Sequence, residues 1–241
     1  MRIAIVSDIH GNLTALEAVV AELRDAAPDL ILQGGDFADG GPGAAEVVDL
    51  IRDSGWPGVL GNTDEMLFSP WTLTDFAGRS PALRDLFAVV EERAAASRSA
   101  LGEDRLEWLR RLPRTYILDG FALVHASPET TWQSPGPGAA DAELEAVYSK
   151  LGAPLVVFGH IHVPFVRKTA ELTVANSGSV GMPYDGDPRA SFLLVDEGIP
   201  ALRRVEYDIE REVRRLQANR DPHLDWMSAM LRSGRPQMPG R

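Results

Sequence analysis

The chain has 241 residues, of which 44% are hydrophobic and 24% are charged, values close to those of an average globular protein. Its formal net charge of −11 argues against broad binding to nucleic acids or to an anionic membrane surface. The absence of cysteine excludes disulfide frameworks and thiol chemistry, and no apolar run approaches the roughly 18 residues of a membrane-spanning helix.

We expect one domain over residues 1–241, because no linker rich in proline and glycine divides the chain. The first predicted strand begins at Arg2 and leaves no room for a signal peptide, which favours a soluble cytoplasmic protein. No stable nucleic-acid complex and no membrane association are expected. The sequence does not decide between a monomer and a homo-oligomer.

Short apolar runs bounded by turn residues predict buried strands along the chain. Asp119 and Gly120 give a strong hairpin-turn signal between two of these strands. In chain order, the predicted strands lie near residues 2–7, 29–33, 57–60, 115–118, 121–125, 155–159, 164–168, 172–175, 191–195 and 201–206.

Amphipathic segments between these strands predict helices, the first of which is capped by Asn12 and continues to about residue 27. A helical insertion is expected over about 64–112, with breaks near Pro70 and Pro81. Strands in hairpins and in β–α units predict an α/β architecture of two mixed sheets flanked by helices. The other predicted helices cover 44–54, 141–151 and a C-terminal pair within about 208–232.

Side chains of the metal-ligand type follow five of the predicted strands. Ligands of open α/β sheets bind just beyond the carboxyl ends of the strands, so we expect these side chains along one edge. Residues i and i+2 of an extended segment point to the same face, which lets Asp8 converge with His10. The seven candidate ligands are Asp8, His10, Asp36, Asn62, His125, His160 and His162.

This ligand set predicts a metal centre with two ions. Imidazole and carboxylate suit Mn, Fe, Zn or Ni, and the chain has no thiolate to select a softer metal. Seven protein ligands exceed what one tetrahedral ion takes and are enough for two ions about 3.5–4 Å apart. Asp36 stands alone at its strand end and is the natural bridge. A lone histidine is usually structural, but burying this whole set without a cation would be costly.

Several residues near these ligands have more than one interpretation. Asn12 either only caps its helix or also contacts phosphate, and the sequence favours neither. Gly34 and Gly35 form an ordinary turn or let the backbone pass close to the ions, which we favour beside Asp36. Asp64 is interpreted as the cap of the following helix.

The motifs resemble those of the calcineurin-like metallophosphoesterase superfamily, in which D-x-H, G-D, G-N-H-[DE], H and G-H-x-H follow one another. Two later segments, 176–181 and 185–190, resemble the small bacterial and archaeal phosphodiesterase branch of that superfamily. The resemblance extends from residue 1 to about residue 206. Its main segments are Asp8 to His10, Gly35 and Asp36, Gly61 to Asp64, His125, and Gly159 to His162.

The resemblance implies a four-layer αββα sandwich and two divalent transition-metal ions, with manganese expected first and iron, nickel or zinc as alternatives. It implies attack of a metal-bridging hydroxide on phosphorus, with Asp36 and Asn62 as catalytic residues. One ion is then held by Asp8, His10, Asp36 and His162, and the other by Asp36, Asn62, His125 and His160.

One departure from the family pattern affects the expected chemistry. The family often has a histidine where this chain has Thr63, and that histidine is thought to protonate the leaving group. Threonine is no acid near neutral pH, and losing general acid catalysis costs about 10²–10⁴ in rate. The resemblance therefore favours cleavage of phosphodiester or phosphoanhydride bonds in small phosphoester substrates. Thr63 and Asn12 are the candidate substrate contacts.

Two other functions stay open at this stage. One is a phosphomonoesterase or phosphoprotein phosphatase. The other is a non-catalytic metal-binding scaffold, as in the metallophosphoesterase-like subunit of the retromer coat, which also lacks the histidine. We favour the enzyme because all seven ligand positions carry ligating side chains, which a pure scaffold need not keep. Substrate specificity is expected to lie within 64–112 and 128–138, where no motif is recognised.

Overall fold

The computed structural model describes residues 1–239, in which nine strands and eight α-helices follow one another. The strands are β1 Arg2–Val6, β2 Leu30–Gln33, β3 Thr115–Leu118, β4 Phe121–Val124, β5 Leu155–Phe158, β6 Phe165–Lys168, β7 Thr173–Asn176, β8 Ala190–Asp196 and β9 Ile199–Val205. The helices are α1 Leu13–Ala26, α2 Ala44–Asp53, α3 Asn62–Phe68, α4 Trp71–Gly78, α5 Arg84–Arg110, α6 Asp141–Tyr148, α7 Ile209–Ala218 and α8 Leu224–Ser233.

The strands form two mixed sheets. The first sheet has the order β2-β1-β8-β9, and the second has the order β3-β4-β5-β7-β6. β1 is parallel to β2 in the first sheet, and β4, β5 and β7 are mutually parallel in the second. Because parallel strands end at the same edge of a sheet, the loops that follow β1 and β2, and those that follow β4, β5 and β7, are each grouped together.

The two sheets pack face to face across an apolar layer. Ile5 of β1, Leu123 of β4 and Val157 of β5 are fully buried in this layer. Ala4 and Val6 lie on the other face of β1, as the period of two along a strand requires, and belong to a separate core shared with helices. The alternation along β1 therefore builds two cores from one strand.

Helices cover the outer faces of both sheets. Side chains of α1, α2, α3 and α5 pack on the outer face of the first sheet, and those of α6 pack on the outer face of the second. The predicted four-layer αββα sandwich is confirmed. α7 and α8 form a smaller apolar cluster with Met182, which connects the C-terminal helices to the loop that follows β7.

The element boundaries agree with the sequence-based ones in most places, including the hairpin at Gly120 and the helix breaks near Pro70 and Pro81. The strand predicted at 57–60 is wrong, since the structure has a single bridge between Gln33 and Gly58 there. The segment does not continue to pair with β2, because the Leu60 N–H donates to the carbonyl of Pro113 and not to β2. No helix within residues 1–239 combines the length and apolarity needed to cross a membrane.

Candidate metal centre

The seven candidate ligands come together where the loops of the two sheets meet. Asp8 and His10 follow β1, and Asp36 follows β2. Asn62 is the first residue of α3, His125 directly follows β4, and the last two ligands follow β5. The residues brought together are Asp8, His10, Asp36, Asn62, His125, His160 and His162.

Five of these ligands have left-handed backbone conformations, with φ between 51° and 68°. Non-glycine residues rarely adopt this region, and each such residue costs about 1–3 kcal/mol. Strain of this kind persists where the surrounding structure enforces it, as at ligand-binding sites. The strained residues are Asp8, His10, Asp36, His160 and His162.

The first group of ligands is compact and buried. The ligating atoms of Asp8, His10, Asp36 and His162 all lie within 4.8 Å of one another. The Nε2 atoms of His10 and His162 are 3.1 Å apart, and His162 Nε2 is 3.2 Å from Asp8 Oδ1. Asp36 Oδ2 lies 3.7 Å from His10 Nε2.

The second group shares Asp36 with the first. Asp36 Oδ2 is 3.4 Å from His125 Nε2. Asn62 Oδ1 is 2.9 Å from both His125 Nε2 and His160 Nδ1. Asp36 therefore contacts histidines of both groups, His10 on one side and His125 on the other.

Backbone carbonyl groups orient three of the imidazole rings. In each ring Nδ1 faces a carbonyl oxygen, which accepts only from an N–H, so Nδ1 carries a proton and Nε2 is directed toward the centre. The carbonyls for His10, His125 and His162 belong to Asp39, Gly34 and Met182, at 2.7, 2.8 and 2.6 Å.

This arrangement fits a cation between the rings. With Nδ1 protonated, the Nε2 lone pairs of His10 and His162 face each other at 3.1 Å and repel. A cation between them removes that repulsion, and the buried carboxylates of Asp8 and Asp36 favour a divalent ion over a proton. The donor set of the first group therefore suits a divalent metal ion.

The electrostatics agree with this fit. Burial and then the charge of His162 lower the pKa of His10, and burial and then His125 lower the pKa of His160 to about 4. Both rings are therefore neutral near pH 7, which is the metal-binding form. Burial, the largest single influence, lowers the pKa of His125, but Asp36, Asp8 and the Gly34 carbonyl together raise this pKa to about 10. The surroundings of Asp36 thus favour a positive charge.

Asp64 fixes the loop that carries Asp36. The buried Asp64 carboxylate accepts from the N–H groups of Asp36 at 2.7 Å, Phe37 at 2.9 Å and Gly61 at 3.3 Å. Burial and then Asp36 raise the pKa of Asp64 to about 7, while the backbone N–H groups oppose the rise. α3 begins at Asn62, so Asp64 is its third residue and not the residue that precedes the helix. The prediction that Asp64 caps this helix is confirmed, because its side chain accepts from the N–H of Gly61, the residue before the helix, as in a capping box.

Two glycines allow this loop to approach its neighbours. Gly35 has φ 89°, and a Cβ there would lie 2.5 Å from the Gly61 nitrogen and 3.0 Å from His125 Nδ1. A Cβ at Gly61 would overlap the carboxylate of Asp36. The geometry agrees with the interpretation that Gly35 permits a close backbone approach at the centre.

The two candidate substrate contacts are placed differently. Asn12 caps α1, because its Oδ1 accepts from the Ala15 N–H at 3.0 Å. Both of its amide donors are engaged, with the Gly181 carbonyl at 2.9 Å and the Tyr207 hydroxyl at 3.2 Å, which supports the helix-cap interpretation. The Thr63 N–H donates to Asp36 Oδ1 at 2.9 Å. The Thr63 hydroxyl is buried and has no hydrogen-bond partner among the described residues.

The structure adds residues to the centre that the sequence did not assign to it. Ser7 Oγ donates to Asp8 Oδ2 at 2.5 Å, and the ring of Tyr184 stacks on His162 at 4.4 Å. Ser179 Oγ donates to the Asp8 carbonyl at 2.6 Å, and Asn176 Nδ2 donates to the Gly159 carbonyl at 2.5 Å. The family resemblance of the segment 176–181 was the only sequence signal for the last two, and it gave no role.

Three curated relatives match much of the chain. An uncharacterized protein of Methanocaldococcus jannaschii is 28% identical over 256 residues, covering 97% of this chain and 98% of the relative. A probable cyclic nucleotide phosphodiesterase of Synechococcus is 26% identical, covering 70% of this chain and 71% of the relative. A symmetrical bis(5'-nucleosyl)-tetraphosphatase of Pectobacterium carotovorum is 27% identical, and the match covers 63% of this chain but only 52% of that relative.

A solved structure and a family model extend these matches. The crystal structure of a metallophosphoesterase from Sphaerobacter thermophilus has a TM-score of 0.78 and 27% identity, covering 97% of this chain and 100% of that chain. The family model for the calcineurin-like phosphoesterase superfamily domain matches residues 1–198, which include all seven candidate ligands. The chain therefore belongs to the calcineurin-like phosphoesterase superfamily.

Proposed function

We propose that this protein is a dimetal phosphohydrolase that cleaves phosphodiester or phosphoanhydride bonds of small phosphoester substrates. The observation that carries the proposal is the convergence of two ligand groups on Asp36, whose Oδ2 lies 3.7 Å from His10 and 3.4 Å from His125. In this proposal Asp8, His10, Asp36 and His162 hold one ion, and Asp36, Asn62, His125 and His160 hold the other.

Asp36, Asn62 and Thr63 have different roles in the proposed reaction. When bound, two divalent ions supply Lewis acidity toward the phosphoryl oxygens and lower the pKa of coordinated water. Asp36 supplies negative charge shared by both ligand groups, and Asn62 supplies a neutral amide oxygen beside two imidazoles. The unpaired hydroxyl of Thr63 is available to donate to a phosphoryl oxygen of the substrate. In this proposal residues 1–241 form one catalytic domain.

The relatives support nucleotides as the substrate class. One is named for cleaving bis-nucleosyl tetraphosphates, and another is named a probable cyclic nucleotide phosphodiesterase. The first bond is a phosphoanhydride, whose phosphate leaving group needs less protonation than an alkyl alcohol. The second is a phosphodiester, whose leaving group is a hydroxyl of the ribose. Thr63, which is no acid near neutral pH, is compatible with the anhydride, whereas a cyclic nucleotide needs another proton donor for its leaving group.

The proposal is tested by metal reconstitution. The protein is stripped with a chelator and reloaded separately with Mn²⁺, Fe²⁺, Ni²⁺ or Zn²⁺. Bound metal is then counted by mass spectrometry, and hydrolysis of bis(p-nitrophenyl) phosphate, diadenosine tetraphosphate and cyclic AMP is measured. We expect two ions per chain and turnover of a diester or an anhydride, with manganese the first choice. Two bound ions without turnover of any substrate would instead favour a metal-binding scaffold.

The substitution Thr63→His tests the account of the leaving group. An imidazole in reach of the leaving oxygen protonates poor leaving groups, whereas good leaving groups gain little. We expect Thr63→His to raise hydrolysis of alkyl esters relative to aryl diesters by about tenfold or more. The measurement is kcat/KM for esters that span a range of leaving-group pKa.

The variant Thr63→Ala is the matched control, because it removes the hydroxyl without adding an imidazole. It should weaken both substrate types alike if the hydroxyl binds a phosphoryl oxygen. Equal effects of Thr63→His on alkyl and aryl esters would reject the leaving-group account. A wild-type enzyme insensitive to leaving-group pKa would reject it without any variant.

A further inference from the structure

A cleft of about 240 Å³ lies between α3, α4 and the loop that follows β4. One wall is α3, where Glu65 lies three residues after Asn62, a rise of about 4.5 Å along the helix. The opposite wall is the loop that follows β4, where Thr130 and Trp132 come shortly after His125. Both walls thus continue elements that carry candidate metal ligands.

The cleft has aromatic walls. Trp71 lines it and is 69% exposed, and it is the one aromatic side chain of residues 1–239 that is classed as exposed. Phe76 and Trp132 also line it, with ring centroids 5.1 Å apart. The indole N–H of Trp132 is buried and has no hydrogen-bond partner among the described residues. The exposed Trp71 ring can stack on another ring, and the unpaired Trp132 N–H lacks the partner that a buried indole usually has.

Polar groups of the cleft are held in place by one carboxylate. Glu65 accepts from Arg114 at 2.5 Å and from the Thr131 hydroxyl at 2.6 Å, which connects α3 to both neighbouring segments. The Arg114 side chain is still 53% exposed, and this ion pair uses only part of its five N–H donors. Arg79, paired with Asp75, adds a second guanidinium to the lining.

We propose that this cleft binds the nucleobase of a nucleotide whose phosphoryl group occupies the metal centre. The inference rests on the proposed phosphohydrolase function and names the substrate class. Stacking on Trp71 suits any base, because every base has a π-face, while Arg114 and the Trp132 N–H offer donors to its edge. The volume of about 240 Å³ is below the range of pockets that enclose whole drug-sized ligands, which agrees with a cleft that takes one nucleobase and leaves the rest of the nucleotide outside.

Two esters with the same leaving group test the proposal. Thymidine 5'-(p-nitrophenyl phosphate) carries a nucleoside, and methyl p-nitrophenyl phosphate does not. We expect wild-type kcat/KM to favour the nucleoside ester, and Trp71→Ala to lower the ratio of the two values by about tenfold to a hundredfold. Trp71→Phe, which keeps a stacking ring, should retain most of the ratio. Ile199→Ala is the matched control, because Ile199 is 71% exposed and does not line this cleft.

Equilibrium binding separates this proposal from the proposed function. Calorimetry compares adenosine 5'-monophosphate with inorganic phosphate, and we expect the nucleotide to bind wild type more tightly and to lose that advantage in Trp71→Ala. An unchanged ester ratio in Trp71→Ala, or equal loss for both esters, would overturn the nucleobase cleft while leaving the phosphohydrolase intact. If neither ester is hydrolysed and diadenosine tetraphosphate is also left intact, the proposed function fails. The calorimetric comparison alone then decides whether the cleft binds a base.

Discussion

Replacing Asp36 with asparagine is expected to reduce turnover under saturating Mn²⁺ to less than about a tenth of wild type, with little loss of fold. The carboxylate contacts both ligand groups, with His10 at 3.7 Å and His125 at 3.4 Å. Asparagine has the same shape and still accepts from the Thr63 N–H, but it lacks the negative charge shared by the two groups. The measurements are kcat, the metal content after reconstitution and the thermal unfolding midpoint.

The matched control for Asp36→Asn is Asp53→Asn, which makes the same change on a side chain that is 72% exposed. It should alter neither activity nor metal content, since surface substitutions of this kind have small effects. Metal content should fall in Asp36→Asn while the unfolding midpoint stays near that of wild type. Retention of two ions and more than about a tenth of the rate would contradict the bridging role of Asp36.

Replacing Asp64 with alanine is expected to destabilise the protein by at least about 3 kcal/mol, because three backbone N–H groups lose their acceptor and each costs about 1–3 kcal/mol. These groups belong to Asp36, Phe37 and Gly61, and Asp64 itself is fully buried. For a chain of this size the unfolding midpoint should fall by roughly 6–12 °C. The released loop carries Asp36, so metal affinity should fall as well.

Two control variants are compared with Asp64→Ala. Asp64→Asn keeps one acceptor oxygen and should lose less stability, although its amide donor would face a backbone donor. Asp53→Ala removes an exposed carboxylate and should stay within about 0.5 kcal/mol of wild type. If Asp64→Ala unfolds at the same temperature as wild type, the three hydrogen bonds do not hold the loop. If it unfolds lower but binds metal as tightly, Asp64 supports the fold and does not position Asp36.

The sequence alone predicted the candidate ligands and the layer order. Short apolar runs bounded by turn residues predicted nearly every strand, and the polar residues directly after them predicted the candidate ligands, because strand ends and their loops are local features. The pair Asp8 and His10 is one example, since both follow β1 by a few residues. The prediction of a strand at 57–60 was wrong because Leu60 hydrogen-bonds to Pro113. A contact with so distant a residue cannot be seen in a short stretch of sequence.

The tertiary structure decided how the ligands face one another and what supports them. His10 and His162 are 152 positions apart, yet their Nε2 atoms lie 3.1 Å from each other. That contact depends on how the two sheets pack, and the ring orientations depend on backbone carbonyls such as that of Met182. The hydrogen bonds between Asp64 and the loop that carries Asp36 also depend on the packing of distant segments, and so does the aromatic cleft. Local propensities are set by neighbours along the chain, whereas these contacts are set by the packing of distant segments, and so only the folded structure contains them.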